Sequence, residues 1–277
     1  ERLINTINEL RKVELHKCIN RIEAYDVNQA KKEQHLYLSK KAYNNIKNPS
    51  STLILPNYKA LGCAMSHIEA WKKIINSGFQ HGIIVEDDIE ITDPVLFKIE
   101  MNKMKQLLLN IDKNDNNKKY KKKPIFITFN ANINSKNSNN NYYDTYDNTI
   151  NYNYCDNETY FKKISGQFTG CHFYYINNSM IQYLLEKLEK NRLTYQIDIQ
   201  IYNFIKEWNL YNSFTYNLKT DSIIQSTKFI SDIQWFNYKP FGLSIVLKIP
   251  IDIAEHIYKF LTNFKKRKNE ILFNNIY

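Results

Sequence analysis

An α/β domain is the fold class this sequence predicts, and three observations carry it. Apolar residues at helical spacing alternate along the chain with short β-branched runs. One such run, Gly82-Ile83-Ile84-Val85, has a helical pattern before it and three consecutive acids after it. A second run, Ile125-Phe126-Ile127-Thr128-Phe129, follows Pro124 and is apolar almost throughout. Strands of that composition are buried on both faces, and their alternation with helices favours a sheet covered by helices.

The elements follow in chain order. Residues 1–15 are expected to be helical, because Leu3, Ile7, Leu10 and Val13 recur at helical spacing. Residues 18–26 are short and partly alternating, which predicts a strand ending at Asp26. Residues 28–58 are polar with few pattern cues and read as loop with short helices. From Lys59 the pattern sharpens: Ala64, Ile68, Trp71 and Ile75 share one helix face, and Gly78 stands where a left-handed C-terminal residue is expected. Residues 82–85 predict a strand buried on both faces. A helix over 96–110, a basic loop over 118–123 and a strand over 124–129 come next. Residues 130–160 are Asn-rich and of low complexity, an insertion or lid outside the core.

Gly170-Cys171-His172 leads into a strand through Phe173 and Tyr175, and Ser179 with Gln182 predicts a capping box for the helix after it. Ile197, Ile201, Phe204, Ile205 and Trp208 predict another helix, with Thr194 as its cap. Asp252 and Glu255 predict a capping box before a basic amphipathic helix holding Ile257, Phe260, Leu261 and Phe264. The expected organisation is one domain over residues 1–243, with the insertion at 130–160, and a C-terminal helical tail over 244–277 that touches a membrane or a neighbouring domain.

Composition narrows the function classes. The 277 residues include 21 Tyr, 15 Phe and 3 Trp, an aromatic load that excludes whole-chain disorder. Only 6 Gly and 6 Pro exclude a collagen-like or linker-dominated chain. No apolar run approaches the roughly 20 residues of a membrane-spanning helix. The chain opens on Glu1 without a Met, so a piece of a longer protein is expected. Cys18, Cys63, Cys155 and Cys171 are scattered without a CxxC pair, which argues against a common zinc site and for reduced thiols in a cytoplasmic protein. The net charge of +10 draws an anion: nucleic acid, a membrane surface or a phosphorylated substrate. Much of the Asn, Lys, Ile and Tyr bias shares AT-rich codons, so single Lys or Asn clusters carry little weight.

Glu86-Asp87-Asp88 is the most informative feature. Ligands of open α/β sheets sit beyond the carboxyl ends of strands. Three adjacent carboxylates there repel one another, and a hard divalent cation, Mg²⁺ or Mn²⁺, offsets that cost while holding substrate phosphates. The bland alternative is a solvated acidic turn.

Leu61-Gly62-Cys63-Ala64-Met65-Ser66-His67-Ile68-Glu69-Ala70-Trp71, followed by Ile83-Ile84-Val85-Glu86-Asp87-Asp88, resembles glycosyltransferase family 25. That family includes bacterial lipooligosaccharide galactosyltransferases and procollagen galactosyltransferases, and its hallmark is G-C-x-x-S-H-x-x-x-W leading to a strand that ends in E-D-D. Weaker echoes lie in Glu23-Ala24-Tyr25-Asp26, which is similar to a second-strand end, and in 170–185, Gln196-Ile197-Asp198 and Gln225 with Ser231-Asp232-Ile233. The Asn-rich insertion matches nothing in the family. The resemblance implies a GT-A-type fold, a Rossmann-like mixed sheet flanked by helices, here lacking its first strand. It also implies transfer of a hexose, galactose or glucose, from a UDP-linked nucleotide-sugar donor to a glycan or protein hydroxyl, with inversion and with Mn²⁺ or Mg²⁺.

On that resemblance Asp88 and then Asp87 are the metal ligands, and Glu86 orients the ribose or the backbone, or else bonds within its own turn. Asp198 is the general base or an acceptor-binding carboxylate; the alternative is an Asp stabilised by its helix dipole. Ser66 and His67 are expected at a helix start that binds the diphosphate, or that only shapes the helix. Asp26 contacts the nucleoside or satisfies local backbone. His172 is an extra metal ligand or structural. Gln225 and Ser231 line the donor pocket or tie down a loop. Two other classes stay open: a metal-dependent nuclease or phosphotransferase, and an inactive transferase-like binding module. The leading reading expects no nucleic-acid partner and places the protein in the cytoplasm, peripheral to a membrane through its last helix.

Overall fold

The computed structural model describes residues 2–51, 53–114, 123–134, 161–164, 167–207, 214–218 and 220–226. Helix α1 (Arg2–Lys12) opens the chain and a 3₁₀ turn (Leu15–Cys18) follows. Helices α2 (Val27–Tyr37), α3 (Lys40–Lys47) and α4 (Tyr58–Asn76) lead to strand β1 (His81–Val85), then β2 (Ile89–Ile91) and helix α5 (Pro94–Asn114). Strands β3 (Ile125–Phe129), β4 (Asn132–Asn134), β5 (Phe161–Lys163), β6 (Gln167–Thr169) and β7 (Phe173–Asn177) come next. Helices α6 (Asn178–Asn191) and α7 (Ile197–Glu207) and strands β8 (Phe214–Leu218) and β9 (Ile223–Gln225) complete the described elements.

A mixed sheet of order β1-β7-β3-β8-β5 forms the centre. Strands β3 and β8 run parallel, and the other three pairings are antiparallel. The side-chain alternation of β3 and β7 divides the core in two. Phe126, Tyr174 and Ile176 face a cluster built from α2, α4, α6 and α7, in which Leu61, Met65, Trp71, Leu184 and Phe204 are buried. Ile125, Ile127, Phe129, Phe173 and Tyr175 face the opposite cluster, with Leu10 of α1 and Phe97, Met104 and Ile111 of α5. The expected mixed sheet flanked by helices is therefore present. Helix α1 is fastened to β2 by Glu9, whose carboxylate accepts the Ile91 N–H at 2.7 Å, and by Asn5, which donates to the Ile89 carbonyl at 3.3 Å. Among the described residues no helix is long and apolar enough to cross a membrane.

Several local expectations change. Residues 19–25 are extended but join no strand, because the Tyr25 N–H donates to the Ser66 hydroxyl (3.0 Å) and Asp26 starts a helix. The Asp26 carboxylate accepts from Asn28 and Gln29, and the Gln29 side chain returns the bond, a capping box that sequence inspection passed over. The segment 28–58 is mostly α2 and α3; their faint apolar pattern reflects shallow burial, with only Ala30 buried in α2. Strand β1 forms at the expected place but is not buried on both faces: among the described residues it pairs with β7 alone, and Ile83 is exposed. Asn177, not Ser179, caps α6; its side-chain oxygen accepts from Met180 (3.1 Å) and from the Ile125 N–H of β3 (2.9 Å). The turn before α7 is closed by Gln200, which accepts the N–H groups of Thr194 (2.9 Å) and Tyr195 (3.1 Å), while the Thr194 hydroxyl bonds Ser39. Trp208, the run 118–122, most of the Asn-rich insertion, the boundary at 243 and the C-terminal helix with Asp252 and Glu255 lie outside the described residues.

Candidate functional site

The acidic turn is clamped at both ends by sheet hydrogen bonds. Past the end of β1, the Glu86 N–H donates to the His172 carbonyl at 2.9 Å, extending the β1–β7 pairing by a step. Past the turn, β2 pairs antiparallel with β9, and the Asp88 carbonyl accepts the Ser226 N–H at 2.6 Å. The three carboxylates between these clamps therefore have fixed backbone positions and very different surroundings.

Asp88 is buried, with 8% exposure. Its Oδ2 accepts from the Gln225 amide at 2.8 Å, while its buried Oδ1 has no partner among the described residues. Burial pushes the Asp88 carboxyl above the usual range against the Gln225 hydrogen bond, and the charges of Glu86 and Asp87 add to the rise. Asp87 is exposed and lies 3.5 Å from the Arg2 guanidinium, which α1 delivers to the turn. Glu86 is half-buried, and its Oε1 lies 3.1 Å from His67 Nε2. Burial pushes the Glu86 carboxyl up, but the hydrogen bond from His67, with the fields of His67 and His172, outweighs it and holds the group below its usual value.

His67 does not sit at a helix start. It occupies the third turn of α4, buried, with Nδ1 at 2.8 Å from the Tyr174 hydroxyl, which also accepts from Trp71 Nε1 at 3.0 Å. Ser66, its neighbour, donates to the Gly62 carbonyl (2.8 Å) and accepts from Tyr25 N–H (3.0 Å). Gly62 is required at this crossing, since a Cβ there would lie 2.5 Å from the Tyr25 carbonyl oxygen. The N-terminus of α4 is instead capped by Asn57, whose side chain accepts from Ala60.

A fourth carboxylate, that of Asp198, feels the charge of Glu86. Asp198 lies in the first turn of α7; its Oδ2 accepts the Gly170 N–H at 3.0 Å and its Oδ1 the Ile199 N–H at 2.7 Å. Burial pushes its carboxyl up, more than those two backbone bonds pull it down. Gly170 has φ +90°, a conformation that suits glycine, and it turns the chain from β6 toward β7. Beside it stands His172, 4% exposed, with both ring nitrogens buried and without a partner among the described residues. Burial lowers its pKa, opposed by the charge of Glu86. Cys63 and Cys171 share this field: burial first, then the Glu86 and Asp198 carboxylates, pushes both thiols well up. Cys63, His67 and Glu86 also bring ligand-type atoms within 4.8 Å of one another, although His67 and Glu86 already satisfy each other.

Of the residues singled out from sequence, Glu86, Asp87, Asp88, Gln225, His67, His172 and Asp198 are thus drawn into one electrostatically linked neighbourhood. Asp26 is exposed and its carboxylate is occupied in capping α2, and Ser66 ties the 19–25 segment to α4. Ser231 lies outside the described residues. Sequence reasoning missed Tyr174 and Arg2. Nothing local marks Tyr174, since an aromatic in an apolar strand looks like core, and its partner His67 is 107 residues away. The orphaned Asp88 Oδ1 is suited to a hard divalent cation, because a buried, partly charged oxygen without a donor is costly.

Comparison with protein-family models matches residues 5–201 to the one described as glycosyltransferase family 25 (LPS biosynthesis protein). None of the curated proteins matches the chain.

Proposed function

The chain belongs to glycosyltransferase family 25, and on that premise we propose that it transfers a hexose, galactose or glucose, from a UDP-linked donor to a glycan or protein hydroxyl with inversion on a GT-A-type scaffold. The observation that carries this reading is the buried Asp88 carboxylate in the acidic turn after β1, whose Oδ1 has no partner among the described residues.

Asp88, with Asp87 beside it and His172 as a further candidate, would hold Mn²⁺ or Mg²⁺. Such an ion, when bound, supplies positive charge against the diphosphate leaving group. Gln225 holds Asp88 Oδ2 and so orients its Oδ1. Glu86, with Oε1 fixed by His67, presents its carboxylate to the donor's ribose. Asp198 is the general base. It takes the proton of the acceptor hydroxyl as the acceptor oxygen bonds the anomeric carbon and the bond from that carbon to the diphosphate oxygen breaks. Burial raises its carboxyl toward working pH, which strengthens it as a base. Attack from the face opposite the leaving group inverts the anomeric centre.

The test is a panel of nucleotide sugars, including UDP-galactose and UDP-glucose, incubated with the full chain and Mn²⁺. Donor hydrolysis or transfer with at least one member, lost in Asp88→Ala, is the expected result. No turnover of any donor, together with Mn²⁺ affinity unchanged in Asp88→Ala, would sink the proposal.

A further inference from the structure

Helix α4 sends two side chains, His67 and Trp71, one turn apart to a single atom, the hydroxyl of Tyr174 on β7. The other ring nitrogen of His67 meets Glu86. We propose that Tyr174 and Trp71 are positioning residues that act through His67 to fix the Glu86 carboxylate, with the imidazole hydrogen on Nε2. The inference rests on the reading that Glu86 faces the donor, while its structural half stands without that reading.

Hydrogen counting gives the direction of the chain. The Trp71 indole only donates, so the 3.0 Å contact occupies a lone pair of the Tyr174 oxygen. An ionised carboxylate only accepts, so the 3.1 Å contact with Glu86 requires a hydrogen on His67 Nε2. Tyr174 has one hydroxyl hydrogen, and the other partner in reach is His67 Nδ1 at 2.8 Å. A bare Nδ1 accepts it, and Trp71 Nε1, the Tyr174 hydroxyl, both His67 nitrogens and Glu86 Oε1 are then all satisfied. A hydrogen on both imidazole nitrogens would leave the Tyr174 hydroxyl hydrogen stranded at 0% exposure, a costly arrangement.

Packing holds the chain in place. The Tyr174 ring lies 5.7 Å from the His67 ring, nearly parallel, and 5.1 Å from Phe126. The register of β1 on β7 sets Ile84 opposite Tyr174, which places Glu86 beyond the strand end at a fixed distance. Glu86 Oε1 is thereby committed to the protein, and the carboxylate plane is set for a ligand at its second oxygen. The spacing of His67 and Trp71 is thus a device for presenting a carboxylate, built from one helical turn.

Two measurements on the full chain decide this. The first is the ¹⁵N spectrum of the His67 ring without any ligand. A hydrogen on Nε2 and a bare Nδ1 are expected; a hydrogen on Nδ1 or on both nitrogens overturns the proposal. The second is donor kinetics with Mn²⁺. His67→Leu, which can neither donate nor accept, is expected to raise the donor KM about tenfold, the loss of one charge-assisted hydrogen bond. His67→Gln, which can still donate to Glu86 and accept from Tyr174, restores most of that, and Tyr174→Phe falls between them. Equal donor KM in all three folded variants overturns the positioning role, whatever their melting temperatures. If the unaltered protein turns over no donor, the functional reading fails, and the spectrum still decides the hydrogen-bond chain.

Discussion

Glu86 and Asp88 stand two residues apart on one turn, in opposite situations. Glu86 is reached by a hydrogen-bond chain in which each link is satisfied by protein, and its carboxyl is held below the usual range. Asp88 is more deeply buried, keeps one oxygen without a partner among the described residues, and its carboxyl is pushed up. The difference separates a carboxylate that the protein orients from one that it leaves with an acceptor to spare. Where the chain supplies every partner, the side chain is being oriented. Where burial leaves an anion short of a partner, the fold carries a cost that a bound cation would relieve. His172 belongs with Asp88 on this criterion, since neither ring nitrogen has a partner among the described residues.

The harshest way to break this contrast is to remove Asp88. Asp88→Ala should lower transfer by about 10³-fold or more, the scale of a lost electrostatic anchor for a leaving group. It should also abolish Mn²⁺ binding followed by electron paramagnetic resonance. Retained Mn²⁺ affinity would mean that the unpartnered oxygen has no ligand role.

Asp198 tests the contrast from the acceptor side, because it combines the two situations: both oxygens accept backbone N–H groups, yet burial still raises its carboxyl. Asp198→Asn should reduce kcat by about 10²-fold or more, the usual share of a general base. The pH profile has a defined sign. A base works deprotonated, so kcat/KM should fall as pH drops through the raised carboxyl value, and this acid limb should lie above the 3.8 of an ordinary Asp. A limb at or below 3.8, measured on the unaltered protein, would remove Asp198 from the base role.

The scaffold half is tested at Gly62. A methyl there meets the Tyr25 carbonyl oxygen, a backbone atom, at 2.5 Å. Gly62→Ala should cost about 1–3 kcal/mol, as overpacking does, read as a melting-temperature fall of several degrees. Its effect on turnover should follow the loss of folded protein. A variant with unchanged melting would show that the 19–25 segment can move off α4.

How much of this was legible in the sequence depended on burial and range. Helix α4 and strands β3 and β7 were visible because their apolar residues are deeply buried and therefore periodic or continuous. The acidic turn was visible as three carboxylates after an apolar run. Helices α2 and α3 were legible only as unplaced short helices in a loop, since shallow helices carry few apolar residues and are specified by caps at Asp26 and Ser39. Residues 18–26 alternate weakly, but a strand needs a partner, and Ser66 takes the Tyr25 N–H that a ladder would use. The roles within the site were least legible. His67 read equally well as a phosphate donor, and only the long-range contacts to Tyr174 and Glu86 turn it inward.

The smallest expected effect is at Asp26, where the capping and nucleoside readings make different demands on one carboxylate. Its Oδ1 accepts from Asn28 at 2.7 Å and Gln29 at 2.8 Å, both at the exposed start of α2. Asp26→Ala should therefore cost about 1 kcal/mol, a melting shift of about 3 °C. Asp26→Ser keeps a capping oxygen but removes the charge, so it should recover most of the stability. If Asp26 serves only α2, both variants bind the donor as the unaltered protein does. If its charge or second oxygen also reaches the nucleoside, Asp26→Ser raises the donor KM while its melting temperature stays near that of the unaltered chain. That split would move Asp26 from the scaffold, where Glu86's supporting chain lies, to the ligand-facing set with Asp88.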